Sequence, residues 1–186
     1  MPMRVLNIFA ILLIFGVLGS AFAFQLQLSE LPCPLCFLQR FGLLCAAFGL
    51  LLNLRFGFRA SHYAVTLMSL VFTSWAALNH ISMHIIPGTG WYGYPFYHLH
   101  LYTWAFIISQ VAIIGTLFML SFKSQYPSET NQFYYESFIS KSIMHLLFFI
   151  FIVLIAANMA SVLFECGLSS CPGDPSHYFT LHQIFK

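Results

Sequence analysis

Five long apolar runs separated by short polar segments set the pattern of this chain. They cover residues 5–24, 37–54, 63–84, 101–122 and 142–164, and each is nearly free of charge. A helix needs roughly 20 apolar residues to cross the hydrocarbon of a bilayer, and each run is close to that length. Backbone groups in hydrocarbon must find partners within their own segment, so the runs predict helices. No strand-like alternation of the barrel type is present. The expected fold is an all-α integral membrane protein, a small helical bundle forming a single membrane domain over residues 1–186. Residues 165–186 follow the last span as a tail.

Composition strengthens this reading. The chain is 60% hydrophobic and only 6% charged, with a mean hydropathy of +0.84. Soluble domains carry about 25% charged residues, so the partner of most of this surface is the lipid bilayer. A scattered formal charge of +2 gives no footprint for nucleic acid.

Basic residues orient the spans, because Lys and Arg accumulate on the cytoplasmic side. Arg4 precedes the first run, Arg55 and Arg59 lie between the second and third, and Lys123 and Lys141 bracket the link between the fourth and fifth. All five share one side if the N-terminus is cytoplasmic and the C-terminus lies outside. Arg40, at the start of the second run, stands apart. Ser20-Ala21-Phe22-Ala23 resembles a signal-peptidase site, but the run before it is long for a signal core, and the topology downstream is the same with or without cleavage. Trp91, Tyr92, Tyr94, Phe96, Tyr97, Tyr102 and Trp104 crowd the outer ends of the third and fourth runs. They suit either an interfacial aromatic belt or a cover over a site at the membrane surface.

With this orientation, four of the five cysteines fall at the outer face: Cys33 and Cys36 before the second span, Cys166 and Cys171 after the fifth. An oxidising compartment favours disulfides over thiols. Both pairs close very short loops, which gain little stability from closure and suit redox exchange. Cys36 lies where the second helix begins, and the positive end of a helix dipole favours a thiolate. Arg40 follows four residues later on the same face. Pro32 and Pro34 are expected to stop the helix from running back through the pair and to hold both sulfurs in the loop. Gly167 and the Pro172-Gly173-Asp174-Pro175 run predict a bent, exposed tail. Cys45, midway along its span, is a small packing residue. The remaining chemistry is in His80, His84, His98 and His100, whose spacing could serve a metal or haem. A zinc site built from the four outer cysteines is a further possibility.

The run Leu31-Pro32-Cys33-Pro34-Leu35-Cys36-Phe37-Leu38-Gln39-Arg40, at this topological point, resembles the DsbB family of disulfide bond formation proteins. The likeness extends over the first four spans and includes His84. It implies a four-helix membrane bundle of DsbB type, here with a fifth transmembrane helix. It also implies a bacterial inner-membrane enzyme that reoxidises a DsbA-like periplasmic thioredoxin-fold protein and passes electrons to the membrane quinone pool, either ubiquinone or menaquinone. On this likeness Cys33, Cys36, Cys166 and Cys171 are catalytic. Cys36 faces the quinone as a thiolate, Arg40 and His84 bind the quinone, and Cys33 exchanges with the second pair. Better-known members carry that second pair between spans three and four; here it follows the fifth span, so the tail is expected to act as the shuttle. A vitamin K epoxide reductase-like arrangement would set its Cys-x-x-Cys on a late helix, which the early Cys33–Cys36 does not match. The alternative from another class is a membrane metal- or haem-handling protein using the outer His and Cys residues.

Overall fold

A computed structural model describes residues 2–27, 31–86, 88, 90, 93, 95–126, 141–167 and 171. Its five helices are α1 (Pro2–Gln27), α2 (Pro34–Phe56), α3 (Ala60–His84), α4 (Leu101–Ser121) and α5 (Lys141–Cys166). All five are long and apolar enough to span a membrane, and each corresponds to one of the apolar runs. The link at 127–140, Glu30, the aromatics Trp91, Tyr92 and Tyr94, and the 172–175 turn lie outside the described residues. Outward-facing side chains such as Met68, Val111, Ile114 and Phe149 are exposed and apolar, as a surface solvated by lipid requires.

α2 is the centre of the bundle, packing on α3 and on α1 and α5, while α4 packs on α3. Two glycines let α2 and α3 approach closely. A Cβ at Gly42 would collide with the Thr73 hydroxyl, and one at Gly49 with the Thr66 hydroxyl and, at 2.7 Å, with the His62 carbonyl. Without water to drive association, helices in lipid depend on such small-residue contacts. This contact sets the register of α3 against α2, and with it the position of His80 beside the start of α2.

The bundle holds a polar knot at the end where α2 turns into α3. Asn7 Nδ2 donates to Tyr63 Oη (3.1 Å), Tyr63 Oη donates to Gln125 Oε1 (2.8 Å), and Asn53 Nδ2 donates to Asn7 Oδ1 (3.5 Å). Asn53 Oδ1 accepts from the Arg59 amide (3.2 Å), which closes the α2–α3 turn. Asn7, Asn53 and Tyr63 are fully buried. Hydrogen-bonding side chains thereby join α1, α2, α3 and the segment after α4.

At the opposite end, a two-stranded hairpin of β1 (Pro95–Phe96) and β2 (Leu99–His100) precedes α4, with Pro95 opposite His100 and Phe96 opposite Leu99. Its turn residues Tyr97 and His98 both have positive φ (49° and 63°). Two-residue hairpin loops ask for this backbone, and glycine or asparagine would supply it at lower cost.

Candidate active site

The second helix starts earlier than its apolar run. Pro34 takes its first position, where a missing N–H costs nothing, and Cys33 is the N-cap. Cys33 Sγ accepts the Cys36 backbone N–H at 3.3 Å. Pro34 therefore begins the helix and does not hold it off, so only Cys33 stays in the loop while Cys36 occupies the first helical turn. The sulfurs are 2.9 Å apart, within about 1 Å of disulfide bonding distance.

Their surroundings differ. Cys33 is 5% exposed and faces His80, whose ring nitrogens lie 3.7 and 3.8 Å from its sulfur. The Cys33 pKa is lowered to about 5, chiefly by the hydrogen bond from the Cys36 thiol and also by hydrogen bonding and charge at His80, against the opposing effect of burial. Cys33, at the helix N-terminus and beside His80, is thus placed to carry negative charge in the reduced pair. Cys36 faces a cavity.

That cavity measures about 320 Å³ and lies among α1, α2, α3, the hairpin and α4. Its wall is mostly apolar, with Leu18, Phe24, Leu43, Phe96, Tyr102 and Trp104 among its members, and its polar groups are few, among them Cys36, Gln39, Arg40, His80 and Gln25. A small-molecule site has this make-up, an apolar pocket of roughly 300 Å³ or more with a handful of placed polar groups. Phe96 meets Phe24 and Trp104 edge-on, at 6.0 and 6.3 Å between ring centroids, and the Trp104 indole donates to the Phe96 carbonyl at 2.9 Å. Of the aromatic group read from the sequence, Phe96, Tyr102 and Trp104 thus line the cavity.

Arg40 is buried. Its Nη1 donates to Gln25 Oε1 (2.7 Å), its Nη2 to the Ala21 carbonyl (3.2 Å), and its guanidinium lies 4.8 Å over the Phe22 ring. An arginine reaching for lipid phosphate would extend outward; this one is tied to α1 within the bundle. Gln25 Nε2 in turn donates to Ser161 Oγ of α5 (3.3 Å).

His84 is placed differently from its expected role. It does not line the cavity; it accompanies Tyr102 and His80 (centroids at 5.6 and 5.3 Å), with Nδ1 at 3.0 Å from the Gly90 carbonyl. His80, one turn earlier and 2% exposed, is the histidine at the cysteines. It continues the buried stripe of α3 formed by positions 73, 76 and 77, a face that His84, four residues on, shares by spacing. Among the described residues, Cys33, Cys36 and His80 are the one group whose ligand atoms, all within 4.8 Å, could hold a metal ion; His84, His98 and His100 do not join it.

The tail pair is joined. Cys166 and Cys171 form a disulfide, which Gly167 assists by adopting φ 61° and donating its N–H to the Leu163 carbonyl (3.0 Å). The expected exposure is not found at Cys166, which is 2% exposed at the last turn of α5.

Residues 3–91 match the family described as Disulfide bond formation protein DsbB. Over these residues, just under half of the chain, it is similar to the DsbB family. The matched segment includes α1, α2 and α3, and so Cys33, Cys36, Arg40 and His80. α4, α5 and the Cys166–Cys171 pair lie beyond it. The match takes in the cysteine pair, so this end of the bundle is similar to a family of disulfide bond formation proteins. Comparison with curated proteins and with solved structures finds no match.

Proposed function

We propose that the chain is a quinone-dependent thiol oxidoreductase of the bacterial inner membrane, with its N-terminus cytoplasmic and its C-terminus periplasmic, that reoxidises a DsbA-like thioredoxin-fold protein. The observation that carries this reading is that Cys36 and Arg40 share one apolar cavity, with Cys36 bonding partner Cys33 on its far side. A flat, apolar ring with two carbonyl oxygens suits that cavity. Arg40, Gln39 and His80 are the residues that would hold a quinone there, Arg40 by placing positive charge where a ring oxygen gains electrons. A bound quinone supplies an acceptor for two electrons and two protons.

Roles follow from placement. Cys36, facing the cavity, delivers electrons to the acceptor. Cys33, its charge held by the helix N-terminus, the Cys36 thiol and His80, is the sulfur that exchanges with the Cys166–Cys171 pair. That pair takes electrons from the soluble partner, so residues 165–186 act as the redox tail of a membrane domain formed by the rest of the chain. Because a disulfide forms by losing two electrons and two protons, each reoxidised partner should yield one quinol.

The test is stoichiometric. The purified full chain, mixed with a reduced thioredoxin-fold oxidant and a soluble ubiquinone or menaquinone analogue, should consume one quinone per partner disulfide formed. Cys36→Ala should abolish both signals. Partner oxidation that continues without quinone loss would overturn the assignment.

A further inference from the structure

Glu165 is an ionisable group that the roles above leave unused, and it is costly where it stands. It occupies the last turn of α5, where the helix dipole disfavours an acid. It is fully buried, and among the described residues neither carboxyl oxygen has a hydrogen-bond partner. An ionisable side chain within a membrane span is expensive and is most often retained for function.

Its neighbours say what that function is. Ser161, one turn earlier on the same face of α5, is bonded to Gln25, and Gln25 is bonded to Arg40. Glu165 itself interacts electrostatically with Arg40 and with Cys33, and the next residue is Cys166 of the tail disulfide. The charged and titratable groups that act on it, among the described residues, are Arg40 from α2 and Cys33 from the loop before α2, while Cys166, next to it on α5, is held in the tail disulfide. Glu165 thus adjoins Cys166 of one cysteine pair in the chain and lies within electrostatic reach of Cys33 of the other. With no hydrogen bond committing either oxygen to one protonation state, it is free to accept and return a proton.

We propose that Glu165 is the acid–base residue of electron transfer from the Cys166–Cys171 dithiol to the Cys33–Cys36 disulfide. This rests on the reading of the tail as shuttle. The Glu165 carboxylate takes the proton of the attacking tail thiol as its sulfur bonds to Cys33 and the Cys33–Cys36 bond breaks, leaving the electron pair on Cys36. The second tail thiol then closes the tail disulfide, releasing Cys33 as a thiolate and passing its own proton to Cys36. Two electrons and two protons have left the tail: the electrons are on the Cys33–Cys36 pair, one proton is on Cys36, and the other is on Glu165. Glu165 gives up its proton when the pair is reoxidised, with quinone the final acceptor of both electrons and both protons.

The experiment is a quinone-free one on the full chain in detergent. Oxidised protein is mixed with dithiothreitol over a pH series, quenched with an alkylating agent, and mapped at all four cysteines. In Glu165→Gln the tail should be reduced at the wild-type rate, but transfer to Cys33–Cys36 should slow by about 100-fold, the lower range for a lost proton-transfer group. Its rate should also climb with pH as bulk hydroxide substitutes for the carboxylate. Glu165→Asp should keep the wild-type pH profile at reduced rate. Transfer in Glu165→Gln at the wild-type rate and with the wild-type profile overturns the role of Glu165 alone. If a chain carrying Cys166→Ala and Cys171→Ala reduces Cys33–Cys36 as fast as wild type, the tail is not the shuttle, and the assignment of Glu165 is overturned with it.

Discussion

The two ends of this bundle both bury polar side chains in an apolar helical body, yet they do so in opposite ways. At the α2–α3 turn, Asn7, Asn53, Tyr63 and Gln125 satisfy one another across three helices and the segment that follows α4. None of the four carries a formal charge. At the cysteine end, polar groups surround an open volume, a guanidinium is held against α1, and among the described residues the Glu165 carboxyl has no hydrogen bond. A closed network contributes stability and orientation; an open one costs stability and leaves groups available for chemistry. Substitutions should therefore separate the two ends cleanly.

The largest effect is expected at the cavity. Arg40→Met keeps the bulk of the side chain but removes the charge, and it should lower quinone reduction by about 100- to 1,000-fold, as the loss of an electrostatic stabiliser does. Thiol exchange among the four cysteines, followed by trapping without quinone, should continue. An Arg40→Met chain that uses quinone normally would take Arg40 out of the site.

At the knot the effect should be on stability alone. Tyr63→Phe leaves Asn7 and Gln125 each short of a partner in a buried setting, a loss of about 1–3 kcal/mol, read as earlier unfolding in denaturant with quinone reduction per folded molecule unchanged. Gly49→Val, at the close approach of α2 and α3, should cost a similar amount, about 1–3 kcal/mol from overpacking. Here quinone reduction should also fall, because shifting α3 moves His80 away from Cys33. If Gly49→Val destabilises without touching redox behaviour, the α2–α3 contact does not set the site.

The smallest change concerns pH. With the Cys33 pKa lowered from 9.0 to about 5, the reduced pair should keep its thiolate absorbance from neutral pH down to about pH 5 and lose it below. His80→Leu removes one of the groups lowering that value, so the loss should occur at a higher pH. An unmoved midpoint would assign the lowering to Cys36 and the helix end alone.

Much of this contrast was legible in the sequence. The five apolar runs give the spans because length and hydropathy are local properties, and Cys33, Cys36 and Arg40 come together because four residues are one helical turn. What was hidden depends on packing between helices. His80 and His84 are equivalent by spacing, and the Gly42 and Gly49 contacts with α3 decide which of them meets the sulfur. Pro34 has two opposite local meanings, a stop or a first helical residue, and the Cys33 cap selects the second. Glu165 falls in the tail by sequence, just past the last apolar run, and its burial shows only with α5 docked beside α1 and α2.

The most direct test of the account is thiol trapping in native membranes, with Cys33, Cys36, Cys166 and Cys171 mapped by mass, in the presence and absence of quinone. The account predicts that all four are oxidised when quinone is present and accumulate as thiols when it is depleted, with Cys45 indifferent to both. Four cysteines whose state ignores quinone would contradict it.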